Sequence, residues 1–174
     1  MGDGASRRDF VVRIARAAGV VPAVLALIEG RGEALPRGQE TDFAVLDAAL
    51  VIEHHAIALY DAGLRRGLFP AGLRHYAVEF RGDHVGHRDT QIAISEERGG
   101  RPPGARSHYD LGPLEPGDAF VREALQIEVA AQEAYTALIS RIDTRDYLLS
   151  AAFILVDEVR HMTVWRRVVG FRIY

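Results

Sequence analysis

The sequence predicts an all-α protein, an antiparallel four-helix bundle with a long crossover between the second and third helices. Two observations carry that prediction. Between Thr41 and Val168, apolar residues recur at alternating spacings of three and four in four stretches of similar length, the period of helices that bury one face. A Gly- and Pro-rich connection, GGRPPGARSHYDLGPLEPG at 99–117, divides the four stretches into two pairs and cannot itself be helical. At 174 residues the chain is long enough to bury a core without staples.

Residues 1–34 read differently from the bundle expected over 35–174. Ser6, Arg7, Arg8, Asp9 and Phe10 resemble a twin-arginine export motif. The apolar run from Ala17 to Ile28 is too short, and too interrupted by Gly19 and Pro22, to anchor in a bilayer. Gly32 and Ala34 supply the small residues of a cleavage site after Ala34. The competing reading is an amphipathic helix presenting Phe10, Ile14, Ala17, Val21, Val24 and Ile28, in which an interior Pro22 would cost about 3 kcal/mol. The expectation is export to the periplasm or cell envelope, with the export machinery as a partner.

The first helix spans about 42–66, with Thr41 as N-cap and Phe43, Leu46, Leu50, Glu53, Ile57, Tyr60 and Leu64 on one stripe. After Gly67 and Pro70, a second stripe holds Leu73, Ala77, Phe80, His84, His87, Gln91 and Ile94. The third helix starts near Asp118 and carries Val121, Leu125, Glu128, Gln132, Tyr135, Ile139 and Ile142. Asp143 and Thr144 break it, and the fourth carries Tyr147, Ala151, Ile154, Glu158, His161, Trp165 and Val168.

Composition excludes several chemistries. There is no cysteine, hence no disulfide, thiolate nucleophile or zinc-thiolate site, and no lysine, hence no Schiff base. A net charge of -3 argues against a nucleic-acid partner. Histidine, carboxylate and tyrosine are left.

Each stripe is interrupted near its middle by ionisable groups: Glu53, then His84 with His87, then Glu128, then Glu158 with His161. Any one of these alone is ordinary, since a single glutamate on an apolar face commonly reaches water and a single histidine is commonly a satisfied core residue. Six converging at one depth are not, because three neighbouring carboxylates repel unless a cation neutralises them. Residues at i and i+3 share a helix face, so Glu158 with His161, and His84 with His87, can each reach one metal or bracket two.

One glutamate on the first helix, a pair ending in histidine on the second, one glutamate on the third and Glu-x-x-His on the fourth resemble the ferritin-like superfamily of carboxylate-bridged dimetal bundles. The resemblance covers about residues 41–170. The crossover sits where the family has its own, and extended at about 3.3 Å per residue it can run the length of a helix of about 25 residues. The resemblance makes Glu53, Glu128 and Glu158 the carboxylate ligands and His87 and His161 the imidazole ligands. The second helix departs from the family pattern, having His84 where Glu-x-x-His would place a carboxylate. A bridging hydroxide then balances two divalent cations, or the site holds one metal, and the extra imidazole favours Fe, Mn, Zn or Cu over harder ions.

Around this set, His54 beside Glu53, Asp157 four residues before His161, and Gln132 one turn after Glu128 are candidates for orienting the ligands, and solvated flanks otherwise. Asp83 lies off the stripe and is expected to support a ligand or face solvent. Tyr60 and Tyr135 are either redox-active or core residues with a polar handle. His55, His75 and His108 are expected to face water.

The implied cofactor is iron, one or two ions, with manganese or zinc as alternatives. Three functions follow: an oxidoreductase of ferroxidase or peroxidase type reacting with O2 or peroxide, iron sequestration in a homo-oligomer, or a non-enzymatic bundle with a degenerate or mononuclear site.

Overall fold

The computed structural model describes residues 39–170, so the export segment expected at 1–34 lies outside the described residues. Among the described residues four helices form, α1 (Gln39–Arg66), α2 (Arg74–Glu97), α3 (Asp118–Ile139) and α4 (Arg145–Val168), with one 3-10 turn at Ala71–Leu73. There is no strand among the described residues. The all-α four-helix bundle expected from periodicity is therefore the fold. Thr41 does not cap α1; the helix starts two residues earlier, at Gln39, and Thr41 lies in its first turn.

Helix α1 packs on α2 and α3, and α4 packs on α3 and α2, leaving α1 diagonal to α4. Local chemistry sets each reversal. Gly67, at φ 66°, ends α1 in the left-handed conformation, with the amide of Leu68 donating to the Gly63 carbonyl. At Gly63 a side chain would collide with the rings of Phe120 and Phe69, so only glycine lets those rings pack against α1. At the other end, the buried carboxylate of Asp42 in α1 accepts from the amides of Asp143 and Thr144, each at 3.0 Å, and from the Thr144 hydroxyl. It fixes the start of α4 in place of a local cap.

The crossover runs along α1 from end to end. The Pro103 carbonyl faces His54 Nε2 at 3.2 Å, the Tyr109 ring lies against His55, and the Gly117 amide donates to the Leu68 carbonyl. With α2 and α3 on its other sides, α1 is buried nearly all round. This burial accounts for its being long and apolar enough to cross a membrane. Two apolar clusters, one around Tyr60, Phe69, Phe80, Phe120 and Trp165, the other around Val45, Ile52, Leu138, Tyr147 and Ile154, fill the ends of the bundle. Between them lies a polar layer.

Candidate metal centre

That layer contains all six residues on which the stripes were interrupted. Glu53 from α1, His84 and His87 from α2, Glu128 from α3, and Glu158 and His161 from α4 are all buried, and five of them are completely so. Their ligating atoms form two overlapping groups, each with every atom within 4.8 Å of the others: Glu53, His84, His87 and Glu158, and His84, Glu128, Glu158 and His161. His84 and Glu158 belong to both.

His84 Nδ1 lies 2.8 Å from Glu53 Oε2 and 3.6 Å from Glu158 Oε1, while its Nε2 is 3.4 Å from Glu128 Oε1. His87 Nδ1 stands 3.1 Å from Glu158 Oε1 but out of alignment for a hydrogen bond, so the contact is one of charge. His161 Nδ1 faces Glu128 Oε2 at 3.2 Å. Burial would oppose charge on each imidazole, yet the surrounding carboxylates raise all three, His84 well above its usual range and His87 to about 10. Burial likewise opposes ionisation of the glutamates. For Glu53 the adjacent His84 and His87 outweigh it and hold the pKa at about 2, and His84 and His161 hold Glu128 low in the same way. Glu158 differs: burial, reinforced by Glu53 and Glu128, outweighs its histidine neighbours and pushes it up to about 7.

The residues around the centre are paired across helices. His161 Nε2 faces Asp83 Oδ2 at 3.0 Å, and His87 Nε2 faces Asp157 Oδ2 at 3.4 Å. The expectation that Asp157 supports His161 along its own helix is thus corrected, because the outward nitrogen of each imidazole points over the seam to the opposite helix. Tyr60 donates to Glu128, not along α1, and itself accepts from Trp165 Nε1 at 2.7 Å. Tyr135 donates to Glu53 at 2.5 Å and accepts from Gln91 Nε2 at 2.7 Å. Burial and the adjacent carboxylate hold both phenols well above their usual pKa, so they remain donors.

Gln132 does not support Glu128; it is half-buried and donates to Thr136 Oγ1 on its own helix. His54 turns from the centre toward the crossover. His75 and His108 are exposed, as expected, whereas His55 is half-buried against Tyr109.

Sequence reasoning missed the polar roles of Trp165 and Gln91 and the position of Arg160. A signal for the first two exists: Glu53 with Tyr60 and Glu128 with Tyr135 have the same spacing, as do Asp83, His84, Val85, His87 and Gln91 with Asp157, Glu158, Val159, His161 and Trp165. The second half of the bundle repeats the first.

A family model described as a ferritin-like domain matches residues 41–170. The chain belongs to the ferritin-like family. Among solved structures, this ferritin-like protein is similar to a conserved hypothetical protein, rv2844, from Mycobacterium tuberculosis, at 27% identity and a TM-score of 0.70, covering 78% of this chain and 95% of that one. No curated protein matches the sequence.

The donor set fits a metal. Glu158 Oε1, Glu158 Oε2 and His87 Nδ1 are buried without a hydrogen bond, an arrangement that is costly unless something else satisfies them. Three imidazoles with three carboxylates suit a borderline divalent cation better than a hard one.

Proposed function

We propose that this ferritin-like protein holds iron in the layer formed by Glu53, His84, His87, Glu128, Glu158 and His161, as a dinuclear centre that reacts with O2 or peroxide. Manganese is the alternative ion of the same chemistry, and zinc would make the site structural. The observation that carries the reading is the pair of buried Glu158 oxygens that make no hydrogen bond and lie where the two ligand groups overlap. A bound iron pair supplies electrons to the oxidant.

The protein's part is to hold and shield. Glu158 and His84 belong to both ligand groups, and Glu53 with His87 would complete one and Glu128 with His161 the other. Asp83 and Asp157 accept from the outer Nε2 of His161 and His87, leaving both Nδ1 atoms turned inward. Tyr60 and Tyr135 each occupy one oxygen of a glutamate and fix its rotamer. Phe80, stacked on His161 with ring centroids 4.0 Å apart, and Trp165 keep water from one side.

A mononuclear site is the second reading, favoured by one observation: His84, standing where the family pattern has a carboxylate, leaves three acidic ligands to balance two dications. Elemental mass spectrometry on protein purified without chelator tests both. Two iron or manganese ions per chain support the dinuclear centre, one makes His84 decisive, and none in wild type, even after anaerobic loading, leaves the non-enzymatic bundle.

The proposal extends to twin-arginine export, supported by Ser6 to Phe10, which suits a protein that folds and loads metal before crossing. A mature N-terminus near Leu35 outside the cytoplasmic membrane is expected; an intact Met1 or Gly2 would exclude cleavage. Exposed Leu149, Phe153 and Val156 on α4 offer apolar surface for a homo-oligomer, which the mass in solution checks.

A further inference from the structure

We infer that cations reach the centre through one mouth, on the Gly86, His87 and Asp157 side of the α2 and α4 seam, and that Arg160 closes the equivalent opening on the other side. The inference rests on the metal-centre reading above.

Helices α2 and α4 carry an internal repeat. Asp83-His84-Val85-Gly86-His87 on α2 matches Asp157-Glu158-Val159-Arg160-His161 on α4. Besides the His84 and Glu158 difference, the motifs differ where Gly86 stands opposite Arg160. Arg160 binds Glu79 Oε1 through Nη1 at 2.5 Å, Asp83 Oδ2 through Nη2 at 2.6 Å and Asp157 Oδ1 through Nε at 3.4 Å. Its guanidinium lies 5.6 Å over the Phe80 ring, with Nη2 3.5 Å from His161 Nε2. Three acidic partners and an aromatic face hold this plug across the approach to His161, which has no exposure at all.

Among the described residues no guanidinium lies over His87 in that way, and a side chain built on Gly86 would meet none of their atoms within 4 Å. His87 is the one imidazole of the centre whose side chain touches solvent, at 9%, and its partner Asp157 is 41% exposed. Behind them stand His87 Nδ1 and the Glu158 oxygens, buried without a hydrogen bond. A hydrated dication therefore meets the exposed carboxylate of Asp157, one oxygen of which Arg160 Nε reaches at 3.4 Å, then an imidazole and a second carboxylate in the interior, with no guanidinium seated over that imidazole among the described residues. On the Arg160 side it would first have to displace a guanidinium from three carboxylates.

The test follows Co2+ uptake by stopped-flow visible absorbance and its release to a chelator, in wild type, Gly86→Arg, Arg160→Ala and the double variant. Gly86→Arg puts a better helix former into open space, so the fold should survive; circular dichroism checks this. The expected result is unchanged Co2+ stoichiometry at equilibrium in all four, uptake and release slowed at least ten-fold in Gly86→Arg, wild-type or faster rates in Arg160→Ala, and rescue of the slow rate in the double variant. Wild-type rates in Gly86→Arg, or slowed uptake in Arg160→Ala, would overturn the single mouth while leaving the metal centre intact. Failure of wild-type protein to bind Co2+ at equilibrium would overturn the metal reading and this inference with it.

Discussion

Asp83 on α2 holds the outer nitrogen of His161 on α4 at 3.0 Å, and four residues further along α2, His87 is held by Asp157 of α4 in the reverse direction. Each helix supplies an imidazole of the candidate centre and the carboxylate that faces the other helix's imidazole. Helix pairs that support each other in this way cannot slide without disturbing both imidazoles, which ties the register of the seam to the geometry of the centre.

Removing either carboxylate should weaken metal binding without unfolding the bundle. Asp83→Asn and Asp157→Asn, both partly exposed positions, are expected to lower affinity by about 10- to 100-fold each, measured by competition with a chelator. Unchanged affinity in both would show that the pairs do not orient ligands.

Glu158 should exchange stability for metal binding. Its pKa rises from an ordinary 4.5 to about 7, so without metal the fold loses stability as pH climbs through that window and the buried carboxyl ionises. Glu158→Gln should therefore raise the stability of chelator-treated protein at pH 8, by about 1–3 kcal/mol in denaturant unfolding, while lowering metal content. A less stable variant that still binds metal normally would contradict both roles.

Metal uptake should release protons. With His87 raised to about 10 by its carboxylate neighbours, a cation at Nδ1 must displace a proton at neutral pH. Apparent affinity should thus climb with pH up to about 10, and calorimetry in buffers of different ionisation enthalpy should report proton release on binding. The same raised pKa gives the opposite trend without metal: the imidazolium's contribution to stability is complete below about 6.5 and is lost as pH rises through about 10. Binding that takes up protons would refute this.

Asp42 should matter for the fold and not for the centre. Asp42→Ala leaves the amides of Asp143 and Thr144 without their acceptor, at an expected cost of about 1–3 kcal/mol, with faster hydrogen exchange at the start of α4 and unchanged metal stoichiometry. Lost metal binding in a folded variant would show that α4 depends on this contact for its register.

What the sequence determined by itself was everything carried by a period or a breaker. Spacings of three and four place Glu53, His84, His87, Glu128, Glu158 and His161 on the inner faces of their own helices, and the glycines and prolines of 99–117 force the crossover; both are local consequences of backbone geometry. Which group meets which across a seam depended on the packing of the helices. Asp157 looked like a partner for His161 because both lie on one helix, and Gln132 for Glu128 for the same reason, yet the first reaches His87 and the second only Thr136. The tyrosines likewise serve the glutamate of the opposite helix, and Arg160, flanking the inner stripe, spans to α2. Such pairings follow from the antiparallel setting of one helix against another, which contacts distant in the chain fix and which periodicity within a single helix does not encode.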